Sequence, residues 1–162
     1  TTKMTTIQTV ITLVATTKWH LHHMEVKNAF LQGELDEEVY MIQPPSFKSS
    51  THPQAGCRHK KPLYTLKQAP RAWHSKITQY LHHTGFKMSK SNNSMFIQSD
   101  SKGQLYIVIY VNDLIIGGEH LAHIDHIKKL LSSQSEMKDM KDLHYFLCIE
   151  VIRTPYGIMI SQ

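Results

Sequence analysis

Leu105-Tyr-Ile-Val-Ile-Tyr-Val-Asn-Asp-Leu-Ile-Ile-Gly-Gly118 consists of two apolar runs that meet at one polar pair, Asn112-Asp113. Each run is short, rich in β-branched and aromatic residues, and apolar enough for a strand buried on both faces. The pair between them has two readings. Asn and Asp tolerate positive φ and serve as hairpin turn residues, which accounts for them without any chemistry. Alternatively, a rigid hairpin presents carboxylate oxygen at a fixed point, as hard divalent cations require.

Working outward, Met95 to Gln98 reads as a strand leading into this hairpin. Leu121, Ile124, Ile127, Leu130 and Leu131 form a helical stripe after it, with Lys128 and Lys129 near the negative end of that helix. Tyr145 to Arg153 and Ile158 to Ser161 read as strands around a turn at Pro155-Tyr156-Gly157. Toward the N-terminus, Pro70 opens the clearest helix, Trp73, Ile77, Tyr80 and Leu81 give it an apolar face, and Gly85 closes it. Ser46 to Lys61 is polar and broken by Pro53 and Gly56, as in a loop. Val39 to Ile42 makes a short strand stopped by Pro44 and Pro45, and Trp19 to Val26 alternates as a strand. Ile7, Val10, Ile11 and Val14 are spaced for a helix over Met4 to Thr17, with Thr1 or Thr2 as N-cap; the β-branched content leaves a strand as the alternative. Helices mixed with antiparallel hairpins give an α+β domain.

At 162 residues there is room for one domain with a real core. Apolar residues at 41% and charged residues at 19% exclude a disordered chain. No window reaches the roughly 18 apolar residues of a membrane span, so no membrane partner is expected. The formal charge of +5 favours polyanions, nucleic acid above all. Cys57 and Cys148 form no close pair, which fits two free thiols in a reducing compartment. The chain starts at Thr1 and ends at Gln162 inside an apolar alternating run, so a fragment of something longer is expected.

Tyr110-Val-Asn-Asp113 resembles the Tyr-x-Asp-Asp hairpin of reverse transcriptases, with Asn112 in place of the first Asp. Met24-Glu-Val-Lys-Asn-Ala-Phe-Leu31 resembles that family's Asp-Val-x-x-Ala-Phe-Leu motif, with Glu25 for Asp. Gly33-Glu-Leu-Asp-Glu-Glu-Val-Tyr-Met41, Pro44-Pro45, Leu63 to Trp73 and Tyr145 to Glu150 are similar to the Ty1/copia branch. The matches come in the family's order and cover nearly the whole chain.

The resemblance implies a polymerase palm: an antiparallel sheet with helices packed on one face, incomplete fingers, and the start of a thumb at about 119–162. It implies an RNA-directed DNA polymerase using two Mg2+ ions, with RNA template/DNA primer heteroduplex and dNTP as partners. It also implies integrase and ribonuclease H elsewhere in the Pol polyprotein, and an intracellular setting, a cytoplasmic virus-like particle for an intact element. Glu25, Asn112 and Asp113 match the catalytic carboxylate positions, and Glu25 and Asp113 remain as metal ligands. Glu25 sets its carboxylate on the order of 1 Å further out, where sites need about 0.5 Å. Asn112 removes one negative charge. A weakened Mg2+ site and impaired catalysis are therefore expected. Phe30 matches the aromatic beneath the nucleotide sugar, with a plain core aromatic as its alternative. Gln68, Pro70 and Arg71 match the nucleotide and template pocket and also suit a helix N-terminus with Pro in its first turn, two readings that are compatible; Tyr110 belongs to the same binding set. Pro62, Thr65, Lys141 and Cys148 stand where the family has Ser, Gly, Gly and Gly.

Three rival readings accompany this one. His20 and His22 share a strand face, and His82 and His83 lie on a helix, but zinc wants three or four ligands and no further ligand stands at an obvious spacing. Lys60, Lys61, Lys67, Arg71 and Lys76 suit a non-catalytic nucleic-acid-binding remnant, or an ordinary solvated basic surface. A fragment with palm faces left uncovered could also fold poorly and do nothing.

Overall fold

The computed structural model describes residues 4–101, 103–154 and 157–161, with Met4 described in its backbone alone. In chain order the elements are α1 (Met4–Thr17), β1 (His20–Val26), α2 (Ala29–Gln32), β2 (Tyr40–Met41), β3 (Cys57–Arg58), α3 (Ala69–His83), β4 (Lys87–Met88), β5 (Met95–Asp100), β6 (Gly103–Tyr110), β7 (Asp113–Gly118), α4 (Leu121–Gln134), β8 (Met137–Asp142), β9 (Tyr145–Phe146), β10 (Ile149–Thr154) and β11 (Gly157–Ser161). The chain divides into two compact units: 1–27 with 80–162, and 28–79.

The first unit is built on a six-stranded antiparallel sheet in the order β4-β5-β6-β7-β1-β8, with a three-stranded sheet β11-β10-β9 beside it. The β-branched α1 is a helix, and Ile7, Val10, Ile11 and Val14 are fully buried on its inner face. They share one core with Leu21, Val108 and Ile115 of the large sheet and Leu143, Phe146, Ile149 and Val151 around the small one. The helices do not pack on one face of the sheet, as the resemblance implied. Successive strand residues point to opposite faces. A Cβ added at Gly117 would meet Val14 of α1 at 3.3 Å, and one at Gly118 would meet Ile124 of α4 at 3.4 Å. The two helices therefore cover opposite faces. Central strands buried on both sides also explain why β1 does not keep a clean alternation: Leu21, His22, Met24 and Val26 are all buried.

Several local expectations change. The hairpin turn is Val111-Asn112, with Tyr110 and Asp113 as the facing pair, so Asp113 is the first residue of β7. α4 runs on to Gln134, which places Lys128 in mid-helix, and its side chain is buried against β1 and β8. Tyr145 to Arg153 is split by a two-residue turn, Leu147-Cys148, between β9 and β10. The expected N-cap at Thr1 or Thr2, and Pro155-Tyr156 of the last turn, lie outside the described residues.

The second unit carries α2, the β2–β3 ribbon and the first part of α3. The segment read as a loop over Ser46 to Lys61 thus contributes a strand. Gln43, whose side chain is buried, organises the rest: its amide donates to His52 O at 2.8 Å and Ala55 O at 2.6 Å, and its Oε1 accepts from Ser49 N–H. Pro70 stands in the first turn of α3, where a missing N–H costs nothing, and Trp73 and Ile77 are buried along one stripe.

Candidate active site

The β6–β7 hairpin is held at its tip by an unusual backbone. Val111 has φ +53°, a conformation that a β-branched residue adopts only under constraint. The constraint is visible: the adjacent Asn112 carbonyl accepts a hydrogen bond from Val26 N–H at 2.7 Å, tying the tip to the end of β1. Positive φ at the first central residue alone corresponds to a II′-like hairpin turn, whose usual occupant is glycine.

This tie sets the register of the site. Glu25 on β1 lies directly opposite Asp113 on β7, and His23 lies opposite Ile115. Residues two apart on a strand share a face, so His23, Glu25 and Asp113 project to the same side. His23 Nε2 is 2.8 Å from Asp113 Oδ1, a contact that is mostly shielded, the two side chains being 15% and 25% exposed. Asn112 Nδ2 donates to Glu25 Oε1 at 3.4 Å. On its other flank Glu25 faces Lys138 of β8. Phe146 stands edge-on to both His23 and Tyr110, each with ring centroids 5.9 Å apart.

Glu25, Tyr110, Asn112 and Asp113 are thus brought together in the first unit. The donor chemistry does not fit a pair of divalent ions. The group offers two carboxylates and a neutral amide, and each carboxylate has one oxygen engaged by a protein donor. Among the described residues, no group of three or more His, Cys, Asp or Glu side chains is arranged to hold a metal ion.

Phe30, Gln68, Pro70 and Arg71 belong to the second unit. Phe30 is buried in the short α2, with its ring 4.4 Å from that of Tyr64. Gln68 O accepts from Ala72 N–H at 2.9 Å at the start of α3. Gln68 and Arg71 border a hollow of about 380 Å³ whose other walls include Glu34, Asp36 and Glu37. Close packing fixes Gly33 beside that hollow: an added Cβ would lie 2.9 Å from Trp73 N.

Sequence reasoning missed His23 and Lys138. The signal for His23 was present, since it stands two residues before Glu25 on an alternating strand. No such signal marked Lys138, because β8 lacks any apolar alternation.

Residues 1–162 match the model of the family described as reverse transcriptase (RNA-dependent DNA polymerase). The retrovirus-related Pol polyprotein from transposon RE2 of Arabidopsis thaliana is 41% identical over 160 residues, covering 99% of this chain and 11% of the polyprotein. The retrovirus-related Pol polyprotein from transposon TNT 1-94 of Nicotiana tabacum is 33% identical over 93% of this chain, again 11% of its own length. A putative transposon Ty5-1 protein of Saccharomyces cerevisiae is 31% identical over 83% of this chain and 44% of its own length. The chain spans about a tenth of the two plant polyproteins.

Proposed function

The chain belongs to the reverse transcriptase (RNA-dependent DNA polymerase) family, with homology to Ty1/copia-type Pol polyproteins, and on that footing we propose that it is a palm-centred piece of a copia-type RNA-directed DNA polymerase whose catalytic site is impaired. In this reading the thumb begins at about 119–162, and the fingers are incomplete. The observation that carries it is the pairing of Glu25 with Asp113 across β1 and β7, beside a hairpin tip fixed by the Asn112 carbonyl.

Reverse transcriptases generally use Mg2+; were it bound here, Glu25 and Asp113 would be the residues to hold it, and it would supply positive charge beside a reacting phosphate. Here Glu25 and Asp113 supply two negative charges on one sheet face, and Asn112 adds none. Loss of preorganised charge at a reacting phosphate costs several kcal/mol, so nucleotide incorporation falls by a factor of about a thousand or more. Phe30 excludes a ribose 2′-hydroxyl, Gln68, Pro70 and Arg71 line the nucleotide and template pocket, and Tyr110 belongs to the same nucleotide- and template-binding set. The partners are RNA template/DNA primer heteroduplex and dNTP, with the remaining Pol domains, integrase and ribonuclease H, in the intact element. That element assembles in a cytoplasmic virus-like particle.

Binding of a labelled RNA/DNA heteroduplex, followed over a range of salt, tests the nucleic-acid half of this reading. Affinity that falls steeply and linearly on a log–log salt plot supports it. Absence of heteroduplex binding by the folded chain contradicts it.

A further inference from the structure

We propose that His23 is a latch on Asp113, and that this imidazole closes the hairpin to divalent cations independently of the Asn112 replacement. The proposal rests on the reading of this sheet face as the polymerase's metal-binding face.

His23 and Asp113 are diagonal neighbours across β1 and β7, since His23 faces Ile115 and Glu25 faces Asp113. On a shared face this diagonal is within reach of a long or aromatic side chain. The imidazole uses it, placing Nε2 2.8 Å from Asp113 Oδ1. The ring is also kept from swinging away. Phe146, buried in the core, stands edge-on against it at 5.9 Å and 82°. The same Phe146 ring meets Tyr110 at 5.9 Å and 83°, so the latch and the hairpin strand share one support.

A hard divalent cation that takes Asp113 through Oδ1, or through both carboxylate oxygens, competes with the His23 hydrogen bond and is left with Oδ2 alone while that bond holds. To take Oδ1, it must break a shielded hydrogen bond and displace a ring packed against a core aromatic. The Asn112 amide then holds Glu25 in a similar way, through Oε1 at 3.4 Å. Two separate protein donors therefore each engage one oxygen of these carboxylates, and replacing Asn112 alone removes only one of them.

The test is Mn2+ binding by the whole chain, read from the electron paramagnetic resonance signal of free Mn2+ at constant pH. The proteins compared are the chain itself, Asn112→Asp, and Asn112→Asp combined with His23→Ala, His23→Leu or Glu25→Asp. His23→Leu keeps apolar contact with Phe146, and circular dichroism melts confirm folding of each. We expect each His23 double variant to bind Mn2+ about tenfold more tightly than Asn112→Asp, because the ion no longer has to break a hydrogen bond to a charged carboxylate. If the Glu25→Asp double variant binds but removing His23 brings no gain over Asn112→Asp, the latch is wrong and the metal face stands. If no folded variant binds Mn2+, the metal-face reading fails and takes the latch with it. Heteroduplex binding does not depend on Mn2+ occupancy, so it reports separately on the nucleic-acid reading.

Discussion

Lys128 Nζ lies 3.2 Å from His22 Nδ1, a cation and an imidazole in contact inside the sheet-facing side of α4. The ammonium donates, so Nδ1 accepts and the ring proton sits on Nε2, which points to Asp142 Oδ1 at 3.6 Å. Burial and the Lys128 charge together depress the His22 pKa, outweighing the opposite pull of Asp142, Asp125 and Asp139. Burial works against the Lys128 charge, but hydrogen bonds to Asp139 and Asp125 outweigh it and raise that pKa.

The unfolded chain takes up a proton at His22 near the ordinary imidazole value of about 6.5, and the folded chain resists until its depressed value is reached. Stability from this site is therefore present above pH 6.5 and is lost as pH falls through the folded value. His22→Gln removes the titration. Urea midpoints at pH 7.5 and 5.5 should fall less in this variant than in the unaltered chain. An equal fall in both would exclude His22 as a source. Asp139, whose own pKa is lowered by Lys128 and the Lys141 N–H against the effect of burial, acts in the same direction only at more acid pH.

Lys141 and Cys148 both stand in the left-handed region, at φ +63° and +64°, a conformation that favours glycine. Lys141 follows the register shift between β1 and β8, and Cys148 completes the Leu147-Cys148 turn. A side chain there costs roughly 1–2 kcal/mol, part of which glycine returns as unfolded-state entropy. Lys141→Gly and Cys148→Gly should each stabilise the chain by about 1 kcal/mol, measured as a higher thermal midpoint. A lower midpoint for both would mean that these side chains make compensating contacts.

Gly33 offers a steric test in the second unit. A methyl group there would lie 2.9 Å from Trp73 N and 3.0 Å from Ala72 C, so the α3 backbone must move. Gly56 is the control, because its added Cβ would meet Tyr40 at an ordinary 3.5 Å. Gly33→Ala should cost about 1–3 kcal/mol and Gly56→Ala well under 1 kcal/mol, from chemical denaturation. Equal effects would show that the tight approach of Gly33 to α3 carries no energetic weight.

Where apolar periodicity was strong, the fold was legible. Ile7, Val10, Ile11 and Val14 marked α1, Trp73, Ile77 and Leu81 marked α3, and the run from Leu105 to Gly118 marked the central hairpin. β8 escaped notice because it is an edge strand of Met137, Lys138, Asp139, Met140, Lys141 and Asp142, and an exposed edge does not need an apolar face. The Leu147-Cys148 turn was hidden because neither residue is a turn former. For the same reason Val111 was overlooked in favour of Asn112-Asp113: the tie from Val26 to the Asn112 carbonyl overrides local preference. Glu25, Asn112 and Asp113 were singled out through the family resemblance and the strand register brings them together, while the His23 contact depended on a cross-strand diagonal that no single segment reveals.

In an RNA-directed DNA polymerase palm with an impaired carboxylate site, restoring the carboxylates restores polymerisation. The most direct test is Mg2+- and Mn2+-dependent primer extension on poly(rA)/oligo(dT), with this segment placed within a complete copia-type polymerase. The unaltered segment is compared with one carrying Glu25→Asp and Asn112→Asp. We predict incorporation by the restored form and about a thousandfold less by the unaltered one. Equal incorporation by both would contradict the claim.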